Sequence, residues 1–379
     1  MSPITNLGTI LVTGGAGWMG SCIVESLLVD GSFSQVVSSV EPQATSNRQV
    51  DGAVYHYCDL SDQVQLKALL DKFKPRVILH TIGPGFFAPP QSHYLITYEQ
   101  SRLMLVTAKK HPSVQALVYT STAEAVALKP SHNDHPVRED EVGTYALDRG
   151  PMAYSRTKAA VDILVREANT PKAFDDASGN YRNTLLTAVL RVTGLYGPRD
   201  KLTIIEMLKL VNTPKTKFQI GPNKLRHDWI FVESCARAHV LAAKALIHPT
   251  TTERADGQAF NVSDNSPIKF WDFARSVLEE AGDANWAPDG PHKVVQIPFW
   301  AVLLALRLLE WIYWIFTFGM MRPSSSTHTF AYMKTGCWFD ISKARRVLGY
   351  EPLCDTHEGI KKTIQWMREN GHLGDKKRV

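Results

Sequence analysis

Apolar residues near the start of the chain form a short unbroken run. Thr9 to Val12 are apolar or β-branched throughout, as a parallel strand buried on both faces requires. The period then changes. In "SCIVESLLVD" the apolar positions Cys22, Ile23, Leu27 and Val29 predict an amphipathic helix. Further strands are read at "SQVVSSV", "AVYHYCDL", Val77 to His80 and "VQALVYTST". Helical stretches "QVQLKALLDKF" and "SRLMLVTAKKH" separate the later ones. Such alternation predicts βαβ units and an α/β chain with a Rossmann-type, doubly wound parallel sheet. From about Tyr196 the alternation stops. The expected organisation is a nucleotide-binding domain over residues 1–195, with returning segments near 227–263, and a smaller C-terminal substrate lobe over 196–379.

A second apolar feature runs from Ile297 to Met321, 25 residues. A bilayer needs about 20 residues of helix. Arg307 and Glu310 fall near the middle of this stretch, and a charge there costs ~2.5–3.5 kcal/mol for residues such as Arg. A span would also part "CWFDISKARRVLGYEP" from the lobe it should join. An interfacial helix or monotopic hairpin, rich in Trp300, Trp311 and Trp314, fits better. A true span and a buried core helix or lid are the alternatives. Pro323 to Thr329 reads as a linker. Lys376-Lys377-Arg378-Val379 matches a dilysine retrieval tail, or is simply a solvated basic terminus. The N-terminus enters a strand directly, with no basic region ahead of an apolar run, so no signal peptide is read. The location expected is the cytosolic face of the endoplasmic reticulum membrane, with the cytoplasm as the alternative.

Composition narrows the partners. The formal net charge is only +5 and the basic residues are scattered, which argues against nucleic acid. Cys22, Cys58, Cys235, Cys337 and Cys354 are too few and too dispersed for a disulfide framework or a metal cluster, so reduced thiols and no metal are expected.

The chemistry concentrates where strands end. Gly14, Gly17 and Gly20 follow the first strand and open the first helix, with Trp18 and Met19 between the last two. Gly15-x-Gly17-x-x-Gly20 fits the dinucleotide fingerprint. Glycine permits the tight turn and lets backbone approach a pyrophosphate, while the helix N-terminus offers free N–H groups. The second strand should end in an acid that reads the adenosine ribose. Ser39 or Val40 stands at that place and Glu41 follows. Glu41 on the ribose hydroxyls favours NAD; Ser39 leaves room for a 2′-phosphate, with Arg48 as its partner, and favours NADP. A plain solvated Glu41 is the third reading, and NAD is preferred. Asp59 and Leu60 at the third strand exit are expected near the adenine, and Thr81 at the fourth joins the cofactor set. His80 reads as a satisfied core histidine.

"MAYSRTKAAVDIL" places Tyr154 and Lys158 four apart on a helix expected to begin near Pro151. Chance alone can supply such a pair, so its surroundings decide. If that helix packs beside the fifth strand, the pair meets Ser121 and Thr122. Taking the proton from an alcohol as its hydride leaves needs a phenol acidified from about 10 to about 7, or about 4 kcal/mol. An ammonium about 4 Å away at an effective dielectric of ~20 supplies roughly that, and an oxidised nicotinamide adds positive charge. Thr122 or Ser121 would orient the substrate oxygen. Tyr145 lacks a lysine partner, having Arg149 at that spacing.

"TGGAGWMG", "VYTSTAEA", Tyr154-x-x-x-Lys158 and "LRVTGLYGPRD" resemble the extended short-chain dehydrogenases/reductases. More narrowly, "DWIFVESCARAHVLAAKAL", "GQAFNVSDNSPIKFWDFARSV", "IPFWAVLLALRLLEWIYWIF" and "TGCWFDISKARRVLGYEPL" resemble the 3β-hydroxysteroid dehydrogenase/isomerase family with its sterol-4-carboxylate 3-dehydrogenase branch. The resemblance implies Tyr154 as proton donor and acceptor, Lys158 as its activator and a ribose contact, and Thr122 as the catalytic hydroxyl with Ser121 beside it. It implies that backbone from Val192 to Gly194 lines the nicotinamide. It further implies NAD or NADP as cofactor, a sterol or terpenoid substrate and a membrane surface as partner; a homodimer is compatible with it. A ketone reductase, a redox-neutral isomerase or epimerase, and a non-catalytic nucleotide-binding membrane protein are the rival readings. Three departures stand out: the missing ribose aspartate, Ile82 in the fourth-strand exit, and "YEQSRLMLVTA", which puts Tyr98, Ser101, Arg102 and Met104 where the family carries an asparagine-containing pattern.

Overall fold

A computed structural model of the protein describes residues 6–41, 48–171, 174–175, 180–181, 184–249, 251–317 and 332–373. The linker read at Pro323–Thr329, the basic tail at Lys376–Val379 and the last four residues of the Ile297–Met321 stretch lie outside them.

Seven parallel strands form the central sheet: β1 (Thr9–Thr13), β2 (Gln35–Val40), β3 (Val54–Tyr57), β4 (Val77–His80), β5 (Ala116–Thr122), β6 (Leu186–Val192) and β7 (Gln258–Val262). Their order is β7-β6-β5-β4-β1-β2-β3, the doubly wound arrangement of a Rossmann fold. The order reverses between β1 and β4, which pair from Ile10↔Val77 to Thr13↔His80. Helices diverge there, leaving a crevice beyond the strand ends.

The unbroken apolar runs are explained by two cores, one on each face. Ile10, Val12 and Val118 enter one with Ile23, Leu27 and the helix Val232–Ile247. Leu11, Leu117 and Tyr119 alternate into the other with Leu66, Met104 and Val161. Val29 departs from expectation. It is 90% exposed, because the last turn of helix Trp18–Asp30 turns it to solvent before Gly31 closes the helix at φ 66°. The helix bearing Tyr154 runs Ala153–Glu167 with Met152 as N-cap, so Pro151 lies just outside it rather than in its first turn.

Chain beyond Tyr196 builds a third core around Tyr196, Trp229, Phe231 and Phe273; the Trp229 and Phe273 rings stack 3.7 Å apart. Late chain also returns to the sheet: Ala344, Val347 and Leu348 of helix Ser342–Leu348 join the first core.

Helix Phe299–Thr317 carries the described part of the apolar stretch. Among the described residues, no helix is long and apolar enough to cross a membrane. Trp300, Leu304, Leu308, Trp311 and Ile312 are all exposed and recur at one-turn spacing, so they form a stripe. A buried core helix would not leave that stripe open.

Candidate active site

The turn after β1 makes the first half of the site. Gly14 adopts φ 71°, and a Cβ on Gly20 would collide with the Gly14 carbonyl oxygen. Helix Trp18–Asp30 starts on Gly17, with no side chain capping its first turn. Gly14, Gly17, Trp18, Met19 and Gly20 border a cleft of about 890 Å³. Ser39, Glu41, Asp59 and Thr81 line the same cleft. The uncapped helix end, the glycine turn and the acid at the β2 exit suit a dinucleotide.

Glu41 accepts a hydrogen bond from the Leu60 N–H at 3.3 Å and another from Gln100. Burial pushes its carboxyl up to about 7, and the charge of Asp59 adds to the rise. The Leu60 side chain is wholly buried in the second core and does not line the cleft; its backbone orients Glu41 instead. Arg48 is paired with Glu25 at 3.0 Å and does not line the cleft around Glu41.

A larger cavity of about 1260 Å³ joins Trp18, Met19 and Thr81 to Ser121, Thr122, Tyr154 and Lys158. Val192 and Gly194 also line it. Tyr154 shares a hydrogen bond with Thr122. Its ring packs edge-on against Phe86, with centroids 4.9 Å apart, and against His93 at 5.7 Å. Ser121 Oγ is buried without a hydrogen-bond partner. Lys158 Nζ donates to the Thr120 carbonyl oxygen at 2.8 Å and sits 5.0 Å over the Tyr119 ring. Trp229, Phe270, Trp271 and Trp286 supply an apolar wall farther out.

The electrostatics differ from the simple expectation. Burial, with the Glu124 charge adding to it, raises the Tyr154 phenol to about 12, and only Thr122 opposes them. Lys158 is itself lowered to about 8 by burial. Its ammonium is committed to the Thr120 carbonyl, so it does not by itself bring the phenol to 7.

Two nearby histidines, His80 and His239, are satisfied, whereas His93 meets the Phe86 carbonyl through Nε2 at 3.3 Å and leaves Nδ1 buried without a partner. His80 contacts Thr13 Oγ1 at 3.0 Å and Ser101 Oγ at 2.9 Å, and burial lowers it to about 3. His239 meets the Cys235 carbonyl through Nδ1, which therefore carries the proton, and Thr120 through Nε2 at 2.7 Å. Among the described residues there is no cluster able to hold a metal.

Residues 11–287, which carry the glycine turn and the Tyr/Lys/hydroxyl set, match the model of the 3-beta hydroxysteroid dehydrogenase/isomerase family. The chain belongs to that family. It is 29% identical over 309 residues to a sterol-4-alpha-carboxylate 3-dehydrogenase, decarboxylating, of Gibberella zeae, covering 81% of this chain and 96% of that one. The mouse protein of the same description is 28% identical over 365 residues, covering 93% and 89%. In shape, the chain is similar to UDP-glucose 4-epimerase of Thermotoga maritima, with a TM-score of 0.65 at 18% identity, covering 96% of this chain and 99% of that one. It is also similar to dTDP-glucose 4,6-dehydratase of Bacillus anthracis, with a TM-score of 0.66 at 16% identity, covering 96% and 97%.

Within this member of the family, the region that departs from the usual pattern has a physical explanation. Residues His93–Glu99 form a π-helix ahead of helix Gln100–Lys110, and such bulges cluster at functional sites. Tyr98 stacks on Tyr94, Ser101 meets His80, Arg102 pairs with Glu99 and Met104 is core. Leu95, Ile96, Glu99, Gln100 and Arg102 of this region line the cofactor cleft, and close behind Gly83 lies the wholly buried Thr97. Its buried hydroxyl has no partner, and a Cβ on Gly83 would lie 3.9 Å from it and 3.7 Å from Lys158 Nζ. Periodicity of 3.6 could not reveal it, because the bulge shifts the register. Glu124 also escaped sequence reasoning, although it follows Thr122 by two residues in the loop at the ligand edge.

Proposed function

We propose that this protein oxidises the 3β-hydroxyl of a sterol or related polycycle with NAD, and that a substrate bearing a C4 carboxyl then loses it as carbon dioxide. The observation that carries this reading is the single cavity in which Tyr154, Thr122, Ser121 and Lys158 meet the glycine turn at one end and the tryptophan wall at the other. The decarboxylating sterol dehydrogenases among the relatives support the same substrate class. NAD is preferred because Glu41 stands at the β2 exit while Arg48 is held by Glu25.

Gly14, Gly17, Trp18, Met19 and Gly20 would hold the pyrophosphate, with Glu41 at the ribose. When bound, the cofactor supplies the hydride acceptor. Tyr154 takes the hydroxyl proton, Thr122 and Ser121 orient the oxygen, and Lys158 adds positive charge beneath. Oxidation next to a carboxyl gives a β-keto acid, which sheds carbon dioxide without further redox chemistry.

Purified protein mixed with NAD or NADP and a panel of 3β-hydroxysterols, with and without a C4 carboxyl, provides the test. Reduced cofactor should accumulate, and Tyr154→Phe should lower its rate about 10²–10⁴-fold while cofactor binding persists. Binding without turnover across the panel would favour a non-catalytic protein; conversion without reduced cofactor would favour an isomerase or epimerase.

The exposed stripe on helix Phe299–Thr317 supports a second element of the reading, a peripheral seat on a membrane surface. Tryptophan and leucine on one helix face suit the boundary between headgroups and acyl chains. A sterol would then reach the cavity from the bilayer.

A further inference from the structure

The cavity that holds Tyr154 contains a carboxyl group that hydride transfer does not use. Among the described residues lining it, the carboxylates are Glu124, Asp200 and Glu206. Asp200 is occupied by the N–H groups of Leu202, Thr203 and Ile204, and Glu206 by Lys209. Among the described residues, Glu124 has no cation paired with it. It stands on the short 3₁₀ turn Ala123–Ala125, directly after β5. Its N–H donates to Thr122 Oγ1 at 3.2 Å. Its Oε2 accepts from Ser155, the residue next to Tyr154, at 3.3 Å. The turn and the start of the tyrosine helix thus clamp the carboxyl beside the phenol.

We propose that Glu124 is the acid that protonates the substrate's α carbon once carbon dioxide has left, so that the protein governs a carbon–hydrogen bond as well as the redox step. This rests on the reading of the site as a decarboxylating dehydrogenase. Tyr154 and Thr122 mark where the substrate oxygen lies, and the carbon that bore the carboxyl is two bonds from that oxygen. A group beside Tyr154 but displaced along the turn is suited to that carbon.

The step balances without another reactant. The C4–carboxylate bond breaks and its electron pair forms the enolate between C3 and C4. Glu124, as the acid, gives its proton to C4. The enolate pair makes the new C–H bond and the oxygen returns to a carbonyl. Glu124 is left as a carboxylate and regains a proton from water. Burial holds its carboxyl up at about 7, so the acid form is present at neutral pH. That form also serves the first step, since an ionised Glu124 would oppose ionisation of Tyr154.

The experiment runs the reaction in deuterium oxide with a 4-carboxy-3β-hydroxysterol and NAD. Wild-type product should carry one deuterium at C4 in a single configuration. Glu124→Gln product should carry deuterium in both configurations, whatever the variant's rate, and Glu124→Asp should restore selectivity in part. In reverse, the wild type should exchange the C4 hydrogen of the 3-ketosterol alone, and Glu124→Gln should slow this about 100-fold. A Glu124→Gln product still labelled in one configuration overturns the proposal. Circular dichroism and NAD binding identify a variant that has failed to fold; Glu124→Asp then takes its place, with selectivity lowered but not abolished as the expected result and full retention overturning the proposal. Failure of the wild type to reduce NAD on any panel member is a different outcome: it removes the dehydrogenase reading beneath the proposal.

Discussion

Lys158 Nζ donates to the carbonyl oxygen of Thr120 at 2.8 Å, tying the tyrosine helix to the end of β5. The bond keeps a buried ammonium one turn from Tyr154, and that burial is unfavourable. Its fall from 10.5 to about 8 corresponds to about 3 kcal/mol. The folded state holds fewer protons than the unfolded one between those values, so this group's contribution to stability improves as pH rises through that window. At pH 7 the cost is fully present. Lys158→Met should therefore lose turnover at least about 100-fold while its melting temperature, measured without cofactor, holds or rises. A large drop in melting temperature would mean the lysine is chiefly structural.

Cofactor affinity should depend on Glu41. Its carboxyl is held up at about 7 by burial, so it becomes ionised only as pH climbs through neutrality. An ionised acceptor binds ribose hydroxyls best. Titration of NAD by calorimetry should show weaker binding as pH falls from 8 to 6. Glu41→Gln should flatten that trend and narrow the preference for NAD over NADP. An unchanged pH dependence in the variant would place the ribose elsewhere.

Beneath the site, Asp162 accepts from Arg191 at 2.9 Å and from Arg166 at 2.8 Å, and both Asp162 and Arg191 are buried. Removing one partner strands a charge. Asp162→Ala should cost about 3–5 kcal/mol in denaturant unfolding, whereas Arg166→Ala, at the more exposed end, should cost about 1 kcal/mol or less.

Membrane seating should follow the stripe. Trp300→Glu, Leu304→Glu and Trp311→Glu together should lower flotation with phosphatidylcholine vesicles while leaving the melting temperature within a few degrees, since all three side chains are exposed. Equal flotation of both proteins would remove the helix from the membrane reading.

Much of the sheet was legible because β1, β4 and β5 bury both faces, which forces runs of apolar residues that few other elements show. The glycine turn was legible for a steric reason, the collision awaiting any Cβ at Gly20. Thr97 was not, because a π turn breaks the helical register. Glu124 was not, because its distinction lies in what surrounds it: a carboxyl with no cation paired with it among the described residues, next to a phenol. Nor was the state of Tyr154. The charges on its own helix suggest a lowered phenol, but burial and Glu124 outweigh them.

The seventh strand has a consequence for synthesis. β7 pairs with β6 from Gln258↔Ala188 to Val262↔Val192, yet the first part of the lobe is threaded between them in sequence. On the ribosome, β6 emerges with a bare edge. At about 5–20 residues per second, that edge stays open for on the order of ten seconds before its neighbour arrives. During that interval the nascent nucleotide half offers unpaired backbone to any other strand nearby, and chaperone occupancy should peak there.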